Sequence, residues 1–246
     1  MTPSLSSPPA ASTHRIRARL HPRRLPANRS PVATPRPARR ADTMSRLIDL
    51  VLASTLLVLL MPLMAFIGVL VRITSRGPAL FRQVRLGHHK QPFVMLKFRS
   101  MAADCGDGVH REFVRRLFVE EDPRDSRDGL YKLGGDSRVT RLGRILRATS
   151  LDELPQLVNV VRGEMALVGP RPSLPWELDL YEPHHHERFN VKPGMTGLWQ
   201  VSGRSRLTAR EAVALDVEYA RRRSIALDLA ILVRTVPALF SFWTAR

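Results

Sequence analysis

The sequence predicts a mainly α-helical protein with a small β region, built as one long apolar helix and further amphipathic helices around a compact domain. Three observations predict this class. Leu50 to Val71 is a run of 22 residues without a charge. Residues 109–121, 138–148 and 208–242 repeat their side-chain character with helical spacing. Between the apolar run and these helices, "GPALFRQVRLGHHKQPFVMLKFRSM" (77–101) mixes short apolar runs with Gly and Pro breaks, the pattern of a small hairpin. The chain has 246 residues, enough for one or two domains with a real core.

Residues 1–43 hold nine arginines against one acid, Asp42, together with eight of the 19 prolines, and show no apolar periodicity. Such a segment cannot bury enough surface to offset its ordering, so it is predicted to be a disordered tail. It also lacks the apolar centre of a signal peptide. Met44 opens the first structured segment, predicted over 44–76, and residues 77–246 form the remaining domain. The formal charge of +17 and the pI near 11.5 point to a polyanionic partner: nucleic acid, an anionic membrane surface or phosphorylated substrates. A single cysteine, Cys105, excludes a disulfide framework and a Cys-based zinc site, and fits a reducing cytoplasmic setting.

As one straight helix, Leu50–Val71 would reach roughly 33 Å, the thickness of a bilayer core. Pro62 falls near its middle, and proline there removes a backbone donor and kinks the helix. The flanks are basic on both sides, with Arg39, Arg40 and Arg46 before the run and Arg72, Arg76, Arg82 and Arg85 after it. Membrane orientation follows an imbalance of Lys and Arg, and here there is little. The residues therefore allow a kinked transmembrane anchor, or a helix-break-helix that enters one leaflet and returns.

In residues 138–148, Arg138, Arg141, Arg144 and Arg147 recur every third position and share one helix side. A solvated face and a phosphate-binding face are both consistent with that spacing. Residues 121–137 read as a polar loop. The last helical stretch turns apolar after Ser224 and could lie on a membrane or pack on the core. His184, His185 and His186 are consecutive, so they cannot converge on one ion; they and His88 and His89 are predicted to be solvated.

The segment "TSLDELPQ" places two adjacent acids, Asp152 and Glu153, before a proline. Ser150 and Glu153 have capping-box spacing, with Pro155 at a helix start, which accounts for Glu153 and leaves Asp152 unexplained. The alternative is phosphoryl chemistry: arginines pair with phosphate oxygens, a divalent ion bridges them, and a carboxylate acts as nucleophile or metal ligand. In "GPRP", Arg171 stands on a turn framed by Pro170 and Pro172, where closing on an anion costs little further ordering.

Three strings, "KFRSM" (97–101), "LRATSLDELPQLVNVVRGEMALVGPRP" (146–172) and "KPGMTGLWQVSGR" (192–204), resemble the bacterial sugar transferase family, the monotopic polyprenyl-phosphate phosphoglycosyltransferases. The resemblance covers about 200 residues in the family's order. It implies transfer of a sugar-1-phosphate from a UDP-sugar to undecaprenyl phosphate, with release of UMP and a covalent aspartyl-phosphosugar intermediate. Carried over, Asp152 is the nucleophile, Glu153 acts beside it as the Mg²⁺ ligand, and Arg147, Arg171, Lys97 and Arg99 bind or support the substrate phosphates. It also implies a re-entrant membrane helix broken at Pro62, a catalytic domain on the cytoplasmic face of the inner membrane, and amphipathic interfacial helices around it. With no other apolar run before residue 47, the resemblance is to the compact form of the family.

The basic surface then meets nucleotide diphosphate, polyprenyl phosphate and anionic lipid headgroups, and no nucleic acid. The product would pass to downstream glycosyltransferases in exopolysaccharide, capsule or O-antigen synthesis. Two departures from the family pattern stand out. Met61 precedes Pro62 where serine is common, and "GLWQVSGR" replaces the more usual "GWAQVNGR". A basic membrane-anchored binding or scaffold protein without catalysis is the alternative class.

Overall fold

The computed structural model describes residues 39–102, 108–119, 136–203 and 207–240. Residues 1–38 of the predicted tail, residues 121–135 of the polar loop and Cys105 lie outside them. The first helix, α1 (Arg39–Thr74), starts five residues before the predicted opening at Met44. Asp42 in its first turn and Arg72 in its last oppose the helix dipole favourably, which extends it beyond the apolar run. Pro62 lies inside the helix, and the helix is assigned without interruption across it. It is also the one helix, among the described residues, long and apolar enough to cross a membrane.

One stripe of α1 meets the rest of the protein along the whole helix. Arg46 donates to the carbonyls of Val160 and Val161 at 2.6 and 2.8 Å, and Asp49 accepts from the Leu167 amide at 3.0 Å. Ala53, Leu57 and Leu60 pack on one core cluster, and Met64, Ile67 and Val71 on another. These positions recur every three or four residues, as one helix face requires. The opposite face exposes Val58, Leu59, Phe66, Val69 and Ile73, each by more than half.

The predicted hairpin is present. Strands β1 (Leu80–Leu86) and β2 (Pro92–Phe98) pair antiparallel, with Leu80 opposite Phe98 and Leu86 opposite Pro92. His89 and Lys90 at the turn both adopt positive φ, 54° and 61°, and the Gln91 amide donates to the His88 carbonyl at 3.1 Å. Two successive left-handed residues make the primed turn that matches strand twist, for which Asn-Gly is best suited. Replacing His89-Lys90 by Asn-Gly is expected to raise stability by about 0.5–1 kcal/mol, read as a higher denaturation midpoint with an unchanged slope.

Helix α2 (Gly108–Val119) fits the predicted 109–121. Helix α3 (Arg141–Thr149) is capped by Thr140, whose hydroxyl accepts from the Gly143 amide at 2.9 Å. Arg138 therefore precedes the helix and binds Asp136 at 2.7 Å instead, so the four-arginine face is reduced to Arg141, Arg144 and Arg147. Ser150 has φ 58° and ends α3, and its side chain does not cap the 3₁₀ turn Leu151–Glu153 beyond it. The capping box that the Ser150–Glu153 spacing allowed is thus not formed, because a left-handed Ser150 ends the helix before it. The 3₁₀ turn leads through Pro155 into α4 (Gln156–Arg162).

Asn159 of α4 is fully buried. Its amide group donates to the Val94 carbonyl at 2.8 Å, and its oxygen accepts from the Leu96 amide at 3.0 Å. It thereby occupies the open edge of β2 and locks α4 to the hairpin. Strands β3 (Ala166–Val168) and β4 (Gly194–Thr196) form a small parallel pair. The short helix α5 (Leu198–Ser202) follows. The last stretch is two helices, α6 (Ala209–Arg222) and α7 (Ile225–Phe240), separated at Arg223 and Ser224. Ile231 of α7 is buried, while Leu229, Val233 and Val236 face outward. The helix thus packs on the core and presents a second apolar surface.

Candidate active site

The end of β2 and the α3–α4 junction meet at the acids, and the turn after β3 is tied to Arg85 on the neighbouring strand β1. The left-handed Ser150 reverses the chain so that Asp152 is buried, at 5 % exposure, while Glu153 stays partly open. Lys97 on β2 reaches Glu153 at 3.2 Å. Both partners are partly exposed, so this pair adds little stability; its effect is to hold the Glu153 carboxylate in place beside Asp152.

The turn after β3 carries Arg171, and its backbone is tied from several sides. The Arg171 amide donates to Asp216 at 3.3 Å, and Arg188 donates to the Arg171 carbonyl at 2.9 Å. Arg85 donates to the Pro172 carbonyl at 3.0 Å, and the Leu86 amide to the Ser173 carbonyl at 2.8 Å. The Arg171 guanidinium lies 3.1 Å from both carboxylate oxygens of Glu177. Arg188 completes the cluster through bonds to Asp216, Tyr181 and Ser173.

Burial would raise the Glu177 carboxyl, yet Arg171, Arg85 and Arg188 together hold it below the usual carboxylate range. Burial pushes Asp216 up to about 6 in spite of Arg188. Burial, and then the like charge of Arg171, depress Arg85 to about 9, while Glu177, Tyr181 and Glu153 pull the other way. Arg85 remains charged at neutral pH. Arg85 thus feels the charge of Glu153 from the acid pair and of Arg171 from the proline-framed turn.

Of the expected site residues, Asp152, Glu153, Lys97 and Arg171 belong to these segments. Arg147 occupies the last turn of α3, just ahead of Ser150, and contributes to lowering the Asp136 carboxyl. Arg99 is buried and turns away toward the end of α1, donating to the carbonyl and hydroxyl of Ser75 at 2.7 and 2.8 Å. Pro62 is remote in sequence, within α1. Arg85, Glu177, Arg188 and Asp216 were not expected. Arg82 and Arg85 share a strand and look alike in sequence, but only Arg85 is buried. The histidine run is also less solvated than expected: His185 is buried and caps the turn Pro183–Asn190 by accepting from the Glu182 amide at 3.1 Å.

Among the described residues, no three His, Cys, Asp or Glu side chains could together hold a metal ion. The oxygen donors that the resemblance implies are the adjacent Asp152 and Glu153 carboxylates. Mg²⁺ takes hard oxygen ligands and is commonly held by one or two carboxylates with substrate phosphates supplying the rest. The pair fits that pattern.

A helical body with two outward apolar helices, and with neighbouring acids next to an arginine-lined turn, is built for phosphate chemistry beside a lipid surface. Comparison with known proteins gives the class a family. The chain belongs to the bacterial sugar transferase family, whose model matches residues 40–242. It is 42 % identical over 194 residues to the exopolysaccharide production protein ExoY of Rhizobium meliloti (strain 1021), covering 79 % of this chain and 84 % of that protein. It is 40 % identical over 215 residues to the UDP-glucose:undecaprenyl-phosphate glucose-1-phosphate transferase of Caulobacter vibrioides, covering 84 % and 73 %. It is 38 % identical over 199 residues to the undecaprenyl-phosphate galactose phosphotransferase of Salmonella typhimurium, covering 80 % and 40 %.

Proposed function

We propose that the protein transfers a sugar-1-phosphate from a UDP-sugar to undecaprenyl phosphate at the cytoplasmic face of the inner membrane, as the first step of exopolysaccharide synthesis. The observation that carries this is the buried Asp152 beside a Lys97-held Glu153, on the edge of the Arg85–Arg171 cluster. Two of the relatives, the glucose-1-phosphate transferase and the galactose phosphotransferase, share undecaprenyl phosphate in their names and differ in the sugar.

In this reading an oxygen of the Asp152 carboxylate attacks the β-phosphorus of the donor. The bond from that phosphorus to the bridging oxygen breaks, and UMP leaves with the electron pair. Arg171 and Arg147 take up phosphate charge, and Arg85 adds its field from below; Arg99 supports the β2 end of the site. An oxygen of undecaprenyl phosphate then attacks the same phosphorus, and Asp152 departs as a carboxylate. Two displacements on one carboxylate split a single transfer between anions into separate steps. Bound Mg²⁺, held by Glu153 next to Asp152, would neutralise diphosphate oxygens as the leaving charge develops.

We read α1 as a membrane-embedded helix whose two ends stay on one side, dipping into a single leaflet and bending at Pro62. Contacts support this: Arg46 and Asp49 near one end, and Ile67 and Val71 near the other, pack on the same catalytic body. The exposed apolar face of α1 and the outward side of α7 supply the surface that lipid covers.

Incubation with a UDP-sugar labelled in the sugar, without lipid acceptor, is expected to leave label on the protein and release one equivalent of UMP. A panel of UDP-sugars run in the same assay identifies the donor. If UMP appears only when the lipid acceptor is also present, the two-step route is wrong.

A further inference from the structure

We propose that Glu177 is the positioning residue for Arg171: its carboxylate is the socket that fixes the Arg171 guanidinium where the donor diphosphate arrives. The proposal rests on the reading of Arg171 as a phosphate ligand and adds to it the residue through which that arginine is held.

Glu177 is fully buried, and a buried carboxylate needs several partners to persist. It has them. Both of its oxygens lie 3.1 Å from Nη1 of Arg171. Oε2 also accepts from the Leu174 amide at 3.1 Å and from the Tyr181 hydroxyl at 3.2 Å. The carboxylate is thus anchored to the backbone three residues after Arg171, and to a second buried side chain. Partners other than Arg171 therefore also fix its position, and from there it binds the Arg171 guanidinium.

Nη1 of the guanidinium is bound to both Glu177 oxygens. A long arginine side chain loses about 2 kcal/mol of rotamer freedom when it is ordered, and here that ordering precedes substrate binding. The charge balance supports the same role. Arg85, Arg171 and Arg188 are three cations gathered about two buried carboxylates, Glu177 and Asp216. Glu177 moderates the repulsion among the arginines while the cluster keeps one surplus positive charge for an anionic donor. Glu177 touches no reacting atom in this scheme, and Arg171 is the arginine its carboxylate binds at 3.1 Å, so in the proposal its effect runs through Arg171.

The test is a double-mutant cycle on full-length protein in detergent micelles, reading the rate of UMP release from UDP-sugar before lipid acceptor is added. Arg171→Ala alone is expected to slow this step by about 100-fold. Glu177→Gln keeps the shape and removes the charge, and is expected to slow it by about 10- to 100-fold. In an Arg171→Ala background the same Glu177→Gln change is expected to cost less than about threefold. Equal losses in both backgrounds would mean that Glu177 acts independently of Arg171 and would overturn the proposal. Unchanged UMP release in Arg171→Ala would instead remove the phosphate-ligand reading on which the proposal stands. If Glu177→Gln does not fold, the cycle is run with Glu177→Asp, which keeps the charge and draws it back from Arg171; additive losses there overturn the proposal equally.

Discussion

Asp152→Asn is expected to reduce sugar-phosphate transfer by about 10³-fold or more while leaving a folded, membrane-associated protein. Asparagine keeps the size and shape of the buried side chain, so packing at the 3₁₀ turn is retained. It removes the anionic oxygen that would form the bond to phosphorus, and an amide has no comparable nucleophile. The measurements are UMP release, retention of labelled sugar on the protein, and thermal unfolding of the same preparation. Undiminished turnover with normal unfolding would take the nucleophile's role away from Asp152.

Gly143→Ala is expected to destabilise the fold by about 3 kcal/mol and lower the melting temperature by roughly 6–12 °C. A Cβ at Gly143 would lie 1.9 Å from the Ser100 carbonyl oxygen and 2.7 Å from its carbon, far inside van der Waals contact. The obstacle is backbone, so no rotamer change relieves it. Helix α3 would have to move off the end of β2, breaking the bond from the Thr140 amide to Ser100 at 3.1 Å. That movement also displaces Arg147, in the last turn of α3 just ahead of the acid pair, so activity should fall with stability. Arg144→Ala, an exposed change one residue along the same helix, should stay within about 0.5 kcal/mol. Near-equal melting of the two variants would show that α3 and β2 do not approach this closely.

Local pattern was enough to read the apolar helix, the hairpin and the helical stretches, because each depends on side chains within a few positions of one another. The same holds for the acid pair and for the long strings that identify the family. Local pattern misled where a residue's role was settled by its next neighbour in space. Ser150 has the spacing of a cap and instead terminates α3 in a left-handed conformation. Arg138 continues the arginine repeat, yet lies before the helix, where Asp136 captures it. The strand 80–86 shows the limit most directly: alternation puts Arg82 and Arg85 on opposite faces, but only the fold decides that the turn after β3 covers the Arg85 face and leaves Arg82 exposed.

What the sequence by itself determined is therefore the class of chemistry and the acids that would perform it. Only the tertiary structure decided which cations are buried near them and what holds those cations, through contacts such as Lys97 with Glu153, 56 residues apart, and Arg85 with Pro172, 87 apart. The reason is physical. A buried charge persists only where partners from distant segments compensate its lost hydration, and those partners are defined by how the chain packs.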